Sequence, residues 1–133
     1  MNSVFADTSF YIAEVNPTDD FHIAASSFSQ TFRGKIVTTE YVLIEVGNWL
    51  ARVGDRVLFL NLMEQLESDL RTIVIATSHE LFVQGLNVYR NRPDKNWSLT
   101  DCISFAVMEN EGLSEALTAD HHFEQAGFSR LLI

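Results

Sequence analysis

Four carboxylates pose the chemical question in this chain. Asp7 stops a short apolar run in FADTSF (residues 5–10), Glu45 interrupts VLIEVGNWL (42–50), Asp101 opens the largely apolar DCISFAVM, and Asp120 follows ALTA. Each has a local use. Asp7 and Asp120 fit helix N-caps at strand-to-helix turns, where a short acidic side chain meets free amides and the positive helix end. Ser98 with Asp101 in SLTD matches a capping box, as does Thr77 with Glu80 in TSHE. Glu45 borders an apolar stripe of Val42, Val46 and Trp49, so its charge must be compensated or reach water. Local use does not explain convergence. If the strands before Asp7 and Asp120 are parallel, both acids reach the same edge of the sheet. Carboxylates about 4 Å apart repel by roughly 4 kcal/mol at an effective dielectric near 20, so a cluster requires protons or a cation. Oxygen-only ligands suit magnesium or manganese.

Other polar groups are less informative. His121 and His122 are adjacent, which on a helix points their rings apart, and His22 and His79 lack partners at ligand spacing, so no zinc site is expected. There is no GxxxxGK loop and no GxSxG elbow. Phe10, Tyr11, Phe28, Phe32, Phe59 and Phe105 read as core. Arg90, Arg92 and Lys95 form a local surplus of positive charge just before Asp101, either a solvated loop or a groove for phosphates.

The elements that must position these groups alternate. Strands are expected at 4–6, 35–37, 72–75, 116–118 and 130–133. Helices are expected at 8–14, 18–32, 40–53, 55–68, 78–90, 99–111 and 121–125. Such alternation with apolar strands predicts a mostly parallel five-stranded sheet with helices on both faces. Ligands then bind beyond the carboxyl ends of the strands, near the point where strand order reverses.

Bulk properties agree with one domain spanning residues 1–133: 47% hydrophobic, two prolines, six glycines, no linker-like run and no repeat. The single cysteine, Cys102, excludes an intrachain disulfide and reads as a small buried hydrophobe in a reducing compartment. Acids interrupt the N-terminal apolar stretch, and no window approaches the length of a membrane span, so a soluble cytoplasmic protein is expected. The formal charge of −9 repels polyanions at long range, so a nucleic-acid substrate would need a metal or a basic patch.

Taken in order, FADTSF, VLIEVGNWL, DKNWSLTDCISF and ALTADHHFEQAGF resemble the PIN domain family, and within it the VapC-type toxin ribonucleases of toxin-antitoxin pairs. The resemblance spans essentially the whole chain. It implies a PIN-like three-layer α/β sandwich and a magnesium- or manganese-dependent endoribonuclease acting on single-stranded RNA, leaving a 5′-phosphate and a 3′-hydroxyl. It assigns Asp7, Glu45, Asp101 and Asp120 to one or two metal ions, with Thr8, Ser9, Ser98 and Thr118 in support. RNA contacts would come from Arg52, Arg56, Arg90, Arg92 and Lys95. A cognate antitoxin covering the pocket and a second copy of the chain are the implied partners. A non-toxin PIN ribonuclease or a catalytically silent PIN binding module remains as an alternative. A phospho-receiver domain would need an aspartate where Ala76, Thr77 and Ser78 follow the third strand, and a haloacid-type phosphatase would need an acid at Ser9.

Overall fold

The apolar run before Asp7 forms strand β1 (Ser3–Ala6), in which Val4, Phe5 and Ala6 are buried on both faces. A strand covered on both sides belongs at the centre of a parallel sheet. The computed structural model, which describes residues 2–133, places it there. The other strands are β2 (Lys35–Thr39), β3 (Thr72–Ile75), β4 (Glu115–Leu117) and β5 (Ser129–Arg130), in the order β3-β2-β1-β4-β5, all parallel. Helices α1 (Thr8–Val15) and α2 (His22–Thr31) connect β1 to β2, and α3 (Glu40–Trp49) with α4 (Arg56–Ser68) connects β2 to β3. The return from β3 to β4 runs through α5 (His79–Asn91) and α6 (Leu99–Glu111), and α7 (His121–Gln125) precedes β5. The first two connections step one way across the sheet and the last two step the other way. Right-handed crossovers therefore place them on opposite faces, giving the expected sandwich.

Order reverses between β1 and β4, which pair directly through Phe5 with Ala116 and Ala6 with Leu117. The amide of Asp7 donates to the carbonyl of Leu117 at 3.1 Å, so the two acid-bearing strand ends lie side by side. Aromatic rings lock the helices beneath them. Phe123 stacks on Phe5 at 6.3 Å between centroids, and Phe105 meets Phe123 edge-on at 4.9 Å and Trp97 at 5.0 Å. Such pairs contribute about 0.5–1.5 kcal/mol each beyond their buried area. Here they fix α6 and α7, the carriers of Asp101 and Asp120, to the central strand.

Several boundaries and roles differ from expectation. Residues 16–21 stay out of α2 because the Asn16 and Asp19 side chains accept backbone amides from Thr18 and Phe21, a local competitor of helix. Helix α3 ends at Trp49, which is 53% exposed and so lies outside the stripe of Val42 and Val46. Phe10, Tyr11 and Phe105 are buried, while Phe28, Phe32 and Phe59 pack against the core from its margin. Ser78, not Thr77, caps α5, accepting from the Leu81 amide, and the Thr77 amide is instead held by Glu40 at 2.6 Å. The last strand is only Ser129–Arg130. Beyond it the Leu131 and Leu132 amides still reach the carbonyls of Ala116 and Thr118, but without a regular ladder. Among the described residues no helix is long and apolar enough to cross a membrane.

The closest approach of α5 to α6 depends on Gly85. A Cβ there would sit 2.3 Å from Cγ1 of Ile103 and 3.2 Å from its backbone. Gly85→Ala is therefore expected to destabilise the fold by about 1–3 kcal/mol, the usual cost of overpacking, despite alanine's better helix propensity. A urea titration checks this; an unchanged midpoint would show that the two helices separate freely.

Candidate active site

At the reversal of strand order a cleft of about 370 Å³ is lined by Asp7, Glu45, Asp101 and Asp120, together with Thr8, Ser9, Asn96, Ser98 and His122. The four acids come from the end of β1, the middle of α3, the first turn of α6 and the residue after the β4 strand end, and no lysine or arginine lines the cleft. All four acids named from the sequence meet here, and three of the four expected supporting residues line the cleft with them. Thr118, the fourth, lies just behind.

Asp7 stands at the N-cap position of α1, yet its side chain makes no capping hydrogen bond. Its Oδ2 instead accepts from Thr118 Oγ1 at 2.9 Å and from Ser9 Oγ at 3.3 Å. The residue is 5% exposed, and burial pushes its carboxyl up to about 7. The Thr8 amide and Thr118 hydroxyl act against that rise, while the charges of Asp101 and Glu45 add to it. The like-charge repulsion expected of a convergent cluster is therefore present at this residue.

Asp101 and Asp120 are both caps and cleft residues. Asp101 forms the capping box, its Oδ2 accepting from the Ser98 amide at 3.2 Å while its own amide donates to Ser98 Oγ at 3.0 Å. Burial raises its pKa, and the charge of Asp120 raises it further. Asp120 caps α7 through the His122 amide at 2.9 Å. Glu45 is half-buried and does not extend away into solvent; its Oε1 accepts from Thr8 Oγ1 at 2.6 Å across the cleft. Behind the acids, Ser9 Oγ accepts the Ala119 amide, Thr118 Oγ1 accepts the Asp120 amide, and Arg130 Nη1 holds the Ala119 carbonyl at 2.9 Å. The hydroxyls after Asp7 thus tie the β1 and β4 strand ends together.

His122 carries a role that the sequence did not reveal. Its Nδ1 lies 3.1 Å from Asp101 Oδ2 and 3.4 Å from Asp120 Oδ2, linking two of the acids. The rings of His121 and His122 do not diverge as expected. Their centroids are 4.6 Å apart, and one ligand atom each from Asp120, His121 and His122 fall within 4.8 Å of one another. Both imidazoles lie near the capping carboxylate, His121 Nδ1 at 3.7 Å and His122 Nδ1 at 3.4 Å from Asp120. The only signal in the sequence was that DHH begins where a strand ends. Asn96 was likewise missed; it gains its position only because the α5–α6 loop passes the mouth of the cleft.

The expected RNA contacts divide. Arg90, Arg92 and Lys95 line a separate cavity that shares Asn96 with the acidic cleft. Arg56 lines an apolar groove between α3 and α4 of about 500 Å³, and Arg52 lines neither cleft. Cys102 is fully buried, and burial followed by the Asp101 charge pushes its thiol up to about 11, consistent with a packing role.

No family model matches the chain. Over 126 residues it is 29% identical to the 23S rRNA-specific endonuclease VapC20 of Mycobacterium tuberculosis, covering 94% of this chain and 95% of that protein. The crystal structure of that VapC20, described as a Sarcin-Ricin loop cleaving toxin, superposes with a TM-score of 0.89 at 25% identity over 98% and 99% of the two chains. VapBC2 from Rickettsia felis, solved bound to a DNA fragment from its promoter, gives 0.69 at 11% identity over 97% of each chain. FitAcB from Neisseria gonorrhoeae gives 0.66 at 14% identity over 96% of each. The last two share the fold. The likeness to VapC-type proteins extends along the whole chain in sequence and in architecture.

Proposed function

We propose that this chain, which resembles VapC-type proteins in sequence and fold, is a divalent-metal-dependent endoribonuclease and the toxin of a toxin-antitoxin pair. The observation that carries the proposal is the uncapped, buried Asp7, held among three further acids from three other elements with no lysine or arginine among the described residues lining their cleft. A structural cap would use its carboxylate on helix amides. This one makes no capping hydrogen bond and accepts instead from the Thr118 and Ser9 hydroxyls.

The donor set fits magnesium or manganese: carboxylate oxygens, hydroxyls nearby, and room for water and substrate in about 370 Å³. Asp7, Glu45, Asp101 and Asp120 would hold one or two ions, which when bound lower the pKa of a coordinated water and draw charge from the phosphoryl oxygens. The protein's own contribution is orientation. Both hydroxyl contacts of Asp7 fall on Oδ2 and none on Oδ1, and Thr8 fixes one oxygen of Glu45. Water attacks phosphorus and the 3′-oxygen leaves, giving a 5′-phosphate and a 3′-hydroxyl. The cytoplasm is the compartment that holds both substrate and a reduced Cys102. The partners are RNA, an antitoxin whose segment covers the acidic cleft, and a second copy of the chain.

Purified protein is expected to cut single-stranded RNA with magnesium or manganese and to stop on addition of EDTA. Expression should arrest growth, with relief by the product of an adjacent small gene. Cleavage without growth arrest would favour a non-toxin PIN ribonuclease, and partner binding without cleavage of any RNA would favour a silent module.

His122 provides a finer test. His122→Ala leaves the backbone cap on Asp120 intact but removes the imidazole between Asp101 and Asp120. Loss of such an orienting group typically costs about 10–100-fold in metal affinity or activity. A calorimetric manganese titration showing unchanged affinity would reduce His122 to packing.

A further inference from the structure

Beside the acidic cleft, the end of α5 and the loop into α6 enclose a second cavity of about 700 Å³, and Asn96 lines both. The two cavities therefore meet at this residue. Arg90, Arg92 and Lys95 line this cavity, three of the nine basic side chains in a chain of formal charge −9, and no acid lines it.

The three cations are not equivalent. Arg92 is committed: it grips both oxygens of Asp94 at 3.1 Å, and its guanidinium lies 5.0 Å over the ring of Trp97. Trp97 is in turn anchored by donation from its Nε1 to Gln125 at 3.0 Å and by its edge contact with Phe105. Arg92 and Trp97 together form one wall of the cavity. Arg90 and Lys95 form no ion pair among the described residues, although acids outnumber bases two to one. Next to them the ring of Tyr89 is 54% exposed. Arg90, held only by the neutral Asn87 side chain at 3.0 Å, with Lys95, the half-exposed Tyr89 ring and the Asn96 amide, provides separate matches for phosphates, a base plane and a base edge.

We propose that this cavity seats the nucleotide adjacent to the scissile phosphate, with its unstacked base on Tyr89 and its flanking phosphates on Arg90 and Lys95. The proposal rests on the ribonuclease reading of the acidic cleft and adds to it a seat for one nucleotide of the single-stranded substrate. A base within a duplex cannot leave its stack to lie on Tyr89 without losing its pair, so the substrate is RNA with an unpaired nucleotide at the cut: a single strand, loop or bulge.

The test compares cleavage and binding of a fluorescein-labelled RNA hairpin, with its cut site in the loop, against a fully paired duplex of the same sequence. Tyr89→Ala should raise KM for the hairpin about tenfold with kcat little changed, and Tyr89→Phe should restore it, because stacking needs the ring and not the hydroxyl. Arg90→Gln combined with Lys95→Gln should flatten the dependence of log KM on log salt by about 1.4, two single-strand phosphate contacts at roughly 0.7 each. All three positions are at least partly solvent-exposed, so folding is checked simply by thermal unfolding. If these variants cut the hairpin with wild-type KM and salt slope, or if the duplex is cut as well, the cavity is not a nucleotide seat, and the ribonuclease reading survives. If wild type cuts nothing yet binds the hairpin in a Tyr89-dependent way, the seat stands and the ribonuclease reading fails. Loss of antitoxin binding alone in the variants would overturn the proposal in favour of a protein-docking surface.

Discussion

Asp7→Asn should abolish RNA cleavage and, in the metal-free protein, make the fold more stable. The two effects have one cause. Asp7 carries a charge into a site where it is 5% exposed, and burial, with help from Asp101 and Glu45, raises its carboxyl from 3.8 to about 7. Near pH 8 the native state must hold that charge against desolvation. At about 1.4 kcal/mol per unit, the cost approaches roughly 4 kcal/mol, less whatever Asn loses in its geometry with Thr118. Asn keeps the volume and an acceptor for Thr118, and it discards the charge. A rise in melting temperature on the order of 5–10 °C follows for a chain of this size. On the proposed reading the same substitution also removes a metal-ligand charge, and loss of several kcal/mol of transition-state stabilisation corresponds to on the order of 10³-fold in rate. Thermal unfolding at pH 8 in EDTA, with an RNA cleavage assay in manganese, reads both. A variant that is inactive but less stable than wild type would mean that Asp7 serves the fold, and an active variant would remove it from the site.

The second large effect concerns pH. A carboxyl whose folded pKa lies above its unfolded value binds its proton more tightly when folded, so its contribution favours the native state below about pH 4 and is lost as pH rises through about 7. Asp101, raised mainly by burial and then by Asp120, acts in the same direction, as does Glu14, raised mainly by burial beneath α2. Metal-free wild type is therefore expected to be more stable at pH 5 than at pH 8. Added magnesium or manganese should stabilise it far more at pH 8, because the ion binds the deprotonated site and must displace protons at pH 5. Melting curves at both pH values, with and without manganese, give the comparison. An equal metal-induced shift at the two values would show that the ion binds elsewhere, and Asp7→Asn should erase most of the difference.

Both expectations depend on a distinction that a single stretch of sequence does not make. Asp7, Asp101 and Asp120 were all equally plausible as caps. In the fold Asp101 and Asp120 do cap their helices while lining the cleft, so that reading was correct without being sufficient. Asp7 occupies the cap position without capping, because Thr118, 111 residues away, draws its carboxylate aside. Glu45 follows the same logic, since its partner Thr8 lies 37 residues off. Where expectations failed, the cause was a short-range competitor or an added long-range contact: Asx turns at residues 16–21, Ser78 taking the cap from Thr77, and imidazoles folding back onto Asp120.

By itself the sequence determined the alternation of strands and helices, the burial of β1, and the placing of acids at the ends of β1 and β4. Those follow from hydrophobic periodicity and turn chemistry, which act over a few residues. The fold alone decided that β1 and β4 are neighbours, that four carboxylates from four elements share one cleft, that His122 joins two of them, and that Asn96 opens onto a basic cavity. These depend on strand order and on side-chain contacts between residues distant in the chain. Like charges and buried hydroxyls have consequences only once packing has removed the water between them.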